Sequence, residues 1–172
     1  MGMKDLAETK KSIKKCESNI TITGLGVLVF GMWSVLKFII QTIYGVDVSA
    51  QLAELDVESH EDKLFTMLFV IIFLAIIAFA ILLFHSYVGI KAIGYGRGVS
   101  SKRGFLIPAG VMAVLNVVSV IMYFRPKDGT LNFDDTMIAA LLVDITLCYI
   151  LFDMIFSAIR LGILKKQMLQ EQ

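Results

Sequence analysis

The chemically most unusual residues of this chain are polar and ionisable side chains that lie inside long apolar runs. Asp144 and Asp153 interrupt one run, and Lys37 and Asn116 lie in two others. An ionised side chain at the centre of a membrane span costs about 2.5–3.5 kcal/mol on insertion scales, so each needs a partner, a route to the interface or a function. These residues therefore predict either an ion or proton site, or contacts that fasten helices together.

Depth along the helices sorts these residues into two groups. At 1.5 Å per residue, Asn116 lies about 18 Å from the start of its run, at the inner side, and Asp144 about 12 Å from the start of its own, at the outer side. In a hydrocarbon layer about 30 Å thick these depths coincide, and the long stem of Lys37 reaches the same level. We therefore predict an intramembrane polar cluster of Lys37, Asn116 and Asp144. An inner-interface polar group is predicted from His85, Asp153 and Arg160.

The two aspartates of the last run point in different directions. They are nine residues apart, and nine steps of 100° place Asp144 and Asp153 on opposite faces of a helix. Both cannot face one narrow core. Asp153 is therefore expected either to rest among headgroups and cytoplasmic cations or to face a second subunit.

Small and polar residues recur at helical spacing, as they do on the faces that membrane helices present to one another. The stripes are Thr23, Gly26, Ser34, Lys37, Gln41 and Tyr44; Ala75, Ala78, His85 and Gly89; and Ala109, Ala113, Asn116, Ser119 and Tyr123.

The apolar runs themselves define the class of protein. Hydrophobic residues make up 57% of the 172, and the mean hydropathy of +0.78 exceeds what a soluble domain of this size can bury. Each run is contiguous over about 20 residues, whereas membrane barrel strands alternate over about ten. We predict an all-α fold, an integral membrane four-helix bundle over residues 20–164. Its spans are 20–44, 64–93, 105–124 and 136–164, after a basic N-terminal helix (1–19) and before a tail (165–172).

The distribution of Lys and Arg predicts the orientation, because basic residues gather on the cytoplasmic side. The basic segments precede the first run, separate the second from the third, and follow the fourth; the connectors at 45–63 and 125–135 are acidic or nearly neutral. Both termini are therefore predicted to be cytoplasmic, in the cell (plasma) membrane. The second inner connector is expected to contact anionic lipid headgroups, at about 1 kcal/mol per basic residue. Its basic residues are Lys91, Arg97, Lys102 and Arg103.

Motifs of enzymes and ligand sites are incomplete. The glycine-rich 94–98 lacks the Lys-Ser/Thr ending of a P-loop and predicts a helix stop. The pair His60-Glu61 resembles half of a zinc site, but position 64 is Leu, so we expect a solvated acidic loop and no metal. Asn19-Ile20-Thr21 is a glycosylation triplet on the predicted cytoplasmic side, where it is not used. We expect no enzymatic activity, no cofactor and no nucleic-acid partner.

Two function classes stay open at this level. The first is a non-enzymatic membrane component, of an assembly, regulatory or immunity type, that packs its helices against a homo-oligomer or a partner membrane protein. The second is a small oligomeric ion or proton conductor or transporter that uses the carboxylate of Asp144.

Overall fold

The computed structural model describes residues 3–45, 60–125 and 135–170, which form four helices and no strand. The helices are α1 (Met3–Gly45), α2 (His60–Gly96), α3 (Leu106–Tyr123) and α4 (Asp135–Gln170). The all-α prediction is confirmed. Each helix carries a stretch long and apolar enough to cross a membrane: Ala7–Ile40, Leu64–Gly96, Leu106–Tyr123 and Met137–Gln170. The acidic loop was predicted at 46–63, but residues 60–63 form the start of α2, so the prediction was wrong for them. Acidic residues suit the first turn of a helix, where the partial charge is positive. Residues 46–59 and most of the connector before α4 lie outside the described residues.

The helix boundaries differ from the predicted spans mainly in length. Helix α3 agrees with the predicted 105–124 to within one residue at each end. Helix α1 is continuous from Met3, so the basic N-terminal segment and the first span form one helix. Helix α4 likewise continues through the predicted tail to Gln170. A helix can continue beyond its apolar stretch as a charged segment in water. The sequence alone does not mark where the membrane ends along such a helix.

The end of α2 is fixed by a Schellman motif, which confirms the helix stop predicted at 94–98. The N–H of Val99 donates to the carbonyl of Gly94 (2.9 Å), and the N–H of Gly98 donates to that of Tyr95 (3.1 Å). Gly98 has φ +73°, a left-handed conformation that costs residues with a Cβ about 1–2 kcal/mol. The chain therefore turns sharply after Gly96 and enters the connector to α3.

Helix α3 begins against the end of α2. Phe105 precedes the helix and is 1% exposed, and its ring lies 5.6 Å from that of Tyr95, centroid to centroid. Pro108 occupies the first turn, where a backbone N–H has no partner within the helix in any case. The aromatic contact sets the position at which α3 starts.

The chain divides into two compact units, each described by itself. The first, here the packed unit, comprises residues up to Phe30 and from His85 onward; the second, here the exposed unit, is Gly31–Phe84. Helices α1 and α2 contribute to both. All of the described buried apolar residues belong to the packed unit: Ile13, Cys16, Ile20, Val27, Val88, Ala92, Tyr95, Phe105, Ala109, Met112, Ala113, Leu147, Leu151, Met154, Ala158 and Leu161.

The core of the packed unit combines large and small side chains from four helices. Leu147, Leu151 and Met154 of α4 are 1% exposed or less, and they belong to one buried cluster with Ala92 of α2 and with Ala109 and Ala113 of α3. Small residues let membrane helices approach closely and gain dispersion contacts that lipid cannot replace. Ala109 and Ala113 are buried, which confirms the small-residue face predicted for α3.

Candidate functional site

The best-defined polar arrangement in the structure joins α1 to α4. The amide Nδ2 of Asn19 donates to Asp153 Oδ2 and to Ser157 Oγ, each at 2.8 Å. A primary amide has two N–H donors, and both are used here. Asp153 and Ser157 lie one helical turn apart, so they present two acceptors on one face of α4. One side chain of α1 therefore bridges two successive turns of α4.

An ion pair extends this contact toward the C-terminal end of α4. Lys165 Nζ lies 2.9 Å from Glu17 Oε1, with 40% and 29% of the two side chains exposed. Residue numbers rise along α1 as they fall along α4, so the helices are antiparallel. We call Glu17, Asn19, Asp153, Ser157 and Lys165 the α1–α4 polar seam.

Asp144 lies on the other side of α4. It is 4% exposed, and its Oδ2 accepts a hydrogen bond from Ser119 Oγ of α3 at 3.1 Å. Asp153 meets α1, whereas Asp144 meets α3. The opposite faces expected from the spacing of nine residues are therefore confirmed, and α4 contacts two neighbours through two different carboxylates.

Asp153 has an environment that the sequence interpretation did not include. That interpretation weighed headgroups or a second subunit, but the carboxylate is half-buried against Asn19 of the same chain. Predicting this hydrogen bond required a polar residue on α1 at the same depth as Asp153. Asn19 is that residue, and it lies one turn before Thr23 on the small and polar stripe of α1.

Several polar side chains in the spans are satisfied within their own helix. Asn116 Nδ2 donates to the carbonyl of Met112 (3.0 Å), and Thr146 Oγ1 donates to that of Leu142 (2.8 Å). The hydroxyl of Thr23 donates to the carbonyl of Asn19 at 2.8 Å. Because each of these side chains donates a hydrogen bond to the carbonyl one turn earlier, its polar atom is satisfied in lipid without a partner on another helix.

Only one interhelical contact of the predicted intramembrane cluster is described, and it is made by Asp144. Ser119, three residues after Asn116 on the same stripe, supplies the described hydrogen bond to Asp144, while the amide of Asn116 turns to its own helix. Lys37 belongs to the exposed unit and is half-buried there. The three-residue cluster therefore stays a prediction, with Ser119 as an added member.

The predicted inner-interface group has three different environments. His85 is 8% exposed, Asp153 is half-buried in the α1–α4 polar seam, and Arg160 is exposed. The described contacts of Asp153 go to α1 and not to Arg160, seven residues further along the same face. The grouping of His85 and Arg160 with Asp153 stays a prediction.

A second seam, between α1 and α2, is made by backbone contact. A Cβ placed on Gly89 would lie 2.8 Å from the carbonyl oxygen of Gly24 and 2.7 Å from Leu28 Cγ. Real Cβ atoms do not approach this closely, so only glycine allows these helices their present separation. The predicted stripe on α2 includes Gly89, but Gly24 is adjacent to the stripe assigned to α1. Pattern reasoning missed Gly24 because it counted side chains, whereas the contact is between backbones.

The end of α2 and the connector after it present a cationic surface. The side chains of Lys91, Arg97, Lys102 and Arg103, predicted to contact anionic lipid, are all exposed. The guanidinium of Arg103 also lies against Gly162 of α4, where an added Cβ would overlap it. Because Gly162 has no side chain, Arg103 can cross the helix at this point, and the connector is held to α4.

The hydrogen-bonded and ion-paired side chains described above either join two helices or bond to the backbone of their own helix. No group of three or more His, Cys, Asp or Glu residues lies close enough to hold a metal ion within the described part of the chain. The polar atoms described above bond to one another or to backbone carbonyls. Four apolar helices of spanning length are compatible with a multi-pass membrane protein. Comparison with protein-family models, curated proteins and solved structures gave no match to this chain.

Proposed function

We propose that this protein is a non-enzymatic component of the plasma membrane that works by packing its helices against a second copy or a partner membrane protein. One observation carries this proposal: both aspartates of α4 that lie in the apolar run accept hydrogen bonds that join α4 to another helix. The bonds from Asn19 to Asp153 and from Ser119 to Asp144 are both of this kind. A component of an assembly needs a firm scaffold of this type, and catalysis needs polar groups directed at a substrate.

The exposed unit offers the surface for association. The side chains of Phe65, Phe69, Phe73, Ile76 and Phe79 are each more than half exposed on α2. Aromatic and branched side chains of this size suit both lipid and a partner helix, because association in a bilayer is driven by shape and dispersion.

The exposed cations support an orientation with both termini in the cytoplasm. Among the described residues, exposed Lys and Arg side chains occur mainly near both ends of the chain and around the end of α2: Lys10, Lys11, Lys14, Lys15, Lys91, Arg97, Lys102, Arg103, Arg160 and Lys166, with Arg125 alone at the other end of α3. All of them belong to the packed unit. Such residues gather on the cytoplasmic face and attract anionic lipid headgroups. Epitope tags at either terminus should therefore be accessible only after the cell membrane is permeabilised.

Association can be tested by counting subunits in liposomes. Two populations of the protein, labelled with donor and acceptor fluorophores, are reconstituted at high dilution in lipid, alone or with the membrane fraction of the source cell. We expect energy transfer that persists on dilution, and substitution of Phe69 and Phe73 by Ala should reduce it. Substitution of Phe152 by Ala, at an exposed position on α4, is the matched control. Monomers under both conditions would refute the proposal.

The burial of Asp144 keeps one alternative, ion or proton conduction, worth testing. A carboxylate that is 4% exposed within a span is the kind of group that proton pathways use. Ion or proton flux in liposomes would be compared between the protein and Asp144→Asn, with Asp153→Asn as the control. Flux abolished by the first change alone would establish conduction, whereas background leak in all three favours association.

A further inference from the structure

Arg103, in the connector between α2 and α3, is held at both its backbone and its side chain. Its carbonyl accepts a hydrogen bond from the N–H of Leu106 (3.0 Å), in the turn that leads into α3. Its guanidinium lies against Gly162 of α4, in the space that a Cβ on that residue would need. Ordering a long side chain is part of what binding costs. The guanidinium is therefore in place before any ligand arrives.

The cations around this guanidinium are not all neutralised. Lys165 and Lys166 follow Gly162 by three and four residues, so both lie one turn away on its face of α4, with Cβ positions about 5–6 Å apart. Lys165 pairs with Glu17. Among the described residues, neither Arg103 nor Lys166 has an ion pair, and both side chains are exposed. Two neighbouring cations repel each other, so an anion placed between them is favoured.

The length of α3 sets the depth of this surface in the membrane. The spanning stretch of α3, Leu106–Tyr123, has 18 residues and rises about 27 Å, close to the thickness of the hydrocarbon layer. A helix this short cannot shift far along the membrane normal, so Leu106 lies at the boundary of that layer. Ile107, just inside this boundary, is 77% exposed and suits contact with hydrocarbon. Arg103, three residues before Leu106, therefore lies at the level of the lipid headgroups.

We propose that Arg103 and Lys166 bind the phosphate of an anionic phospholipid. A guanidinium presents parallel N–H donors that fit two phosphate oxygens, and the lysine ammonium adds a point charge. The choline of a neutral lipid would bring a positive charge to the same surface, so a headgroup with net negative charge is favoured. An acidic protein segment would have to enter the headgroup layer to make these contacts, whereas a lipid phosphate is already there.

This site sharpens the lipid contact predicted for the connector. Of the four predicted residues, Lys91, Arg97, Lys102 and Arg103, it singles out the last and adds a cation of α4. The inference rests on the membrane residence in the proposed function and not on self-association.

Lipid binding to the intact protein can be counted by native mass spectrometry. The protein in a neutral detergent is titrated with phosphatidylglycerol, and separately with phosphatidylcholine and with inorganic phosphate. We expect the first phosphatidylglycerol to bind about tenfold more tightly than phosphatidylcholine, equivalent to 1.4 kcal/mol, and Arg103→Gln to abolish that difference. Arg125→Gln removes an equal charge from an exposed position at the other end of α3 and should keep it.

A second pair of variants separates a shaped site from diffuse charge. Gly162→Ala keeps every charge but displaces the guanidinium, which is the flexible end of a long side chain, so the protein should still fold. We expect it to weaken phosphatidylglycerol binding about threefold, because the charge is no longer held in place. Gly110→Ala is the control, since its added Cβ has no neighbour within 4 Å, and it should bind as the native protein does.

Three results would overturn the proposal: equal affinity for the two lipids, equal losses in Arg103→Gln and Arg125→Gln, or unchanged binding in Gly162→Ala. Inorganic phosphate that binds as tightly as phosphatidylglycerol, with the same loss in Arg103→Gln, would also overturn it, because the ligand would then be a free anion. Lipids are counted on each polypeptide, so this outcome is independent of whether copies of the protein associate.

Discussion

Helices α1 and α2 each run through both the packed unit and the exposed unit, yet their side chains meet different surroundings in the two. In the packed unit, Val88 and Ala92 of α2 have no exposed surface, whereas Phe65 and Phe69 in the exposed unit are 73% and 63% exposed. The more apolar part of α2 is thus the less buried one. In lipid, hydrophobicity does not drive helices together, and close packing depends on small residues and hydrogen bonds instead. Those features are concentrated in the packed unit.

The largest effect is expected at the glycine contact between α1 and α2. Gly89→Leu would drive a side chain into the backbone of Gly24, and because backbone cannot move aside as a side chain can, we expect a loss of about 3 kcal/mol or more in the free energy of unfolding. Unfolding by a denaturing detergent, followed by circular dichroism, measures it. Gly110→Ala is the control, since an added Cβ there has no neighbour within 4 Å, and it should be neutral or stabilising by up to about 1 kcal/mol. Equal stability of the two variants would show that the close contact of Gly24 with Gly89 does not contribute to the stability of the fold.

A cavity in the core should rank next. Leu151→Ala deletes a side chain with no exposed surface, and similar core truncations cost about 2–5 kcal/mol in water. We expect the low end, about 2 kcal/mol, because the unfolded reference in detergent still shelters the leucine from water. Ile76→Ala in the exposed unit, where the side chain is 60% exposed, should cost less than about 0.5 kcal/mol. A similar loss in the free energy of unfolding at both positions would show that the two units do not differ in packing.

The hydrogen bonds of Asn19 are expected to contribute less. Asn19→Ala removes the donor to Asp153 and Ser157, and interhelical hydrogen bonds in membranes average about 0.6 kcal/mol, with a maximum near 1.7. Because two bonds are lost together, we expect about 1–1.5 kcal/mol. A double-mutant cycle of Asn19→Ala with Asp153→Ala should give a coupling energy that shows a favourable interaction between the two side chains. Additive effects within about 0.3 kcal/mol would show that the two side chains do not interact.

The smallest effect is predicted for the ion pair of the α1–α4 polar seam. Lys165→Ala should cost about 0.5 kcal/mol or less, because both side chains are partly exposed and solvent screens the pair. The effect should shrink further as salt is raised from 0.01 to 1 M. Lys166→Ala, at the next and exposed position, is the comparison. A cost above about 1 kcal/mol that persists in high salt would mean that the pair is more shielded than its exposure indicates.

Sequence patterning predicted the four helices and the faces of α3 and α4 because both rest on periodicity. Nine residues separate Asp144 from Asp153, and that count alone placed them on opposite faces. Partners were harder to predict, because contacts between helices depend on their relative rotation and depth. Ser119 and Asn116 share one stripe, and only the packing of α3 on α4 selects Ser119 as the donor to Asp144.

The close contacts of glycine show a second limit. Gly24 with Gly89, Gly96 with Thr21, and Gly162 with Arg103 are places where a side chain is absent so that another group can approach. Hydropathy and periodicity count what is present on a face, so such contacts leave little signal. A search for glycines at matching depths on antiparallel helices would have found Gly24 and Gly89.

Oxygen accessibility along α2 tests the central claim most directly. Single nitroxide labels are placed at successive positions from Leu64 to Gly96, in vesicles and in a background without the native cysteines, and collision rates with lipid-dissolved oxygen are measured. We predict a period of 3.6 residues along the whole helix, with shallow minima at Val70, Leu74 and Ala78 and deep ones at Val88, Ala92 and Tyr95. Minima of equal depth in both parts of the helix, or preferential collision with a water-soluble reagent from Leu64 to Phe84, would contradict the account.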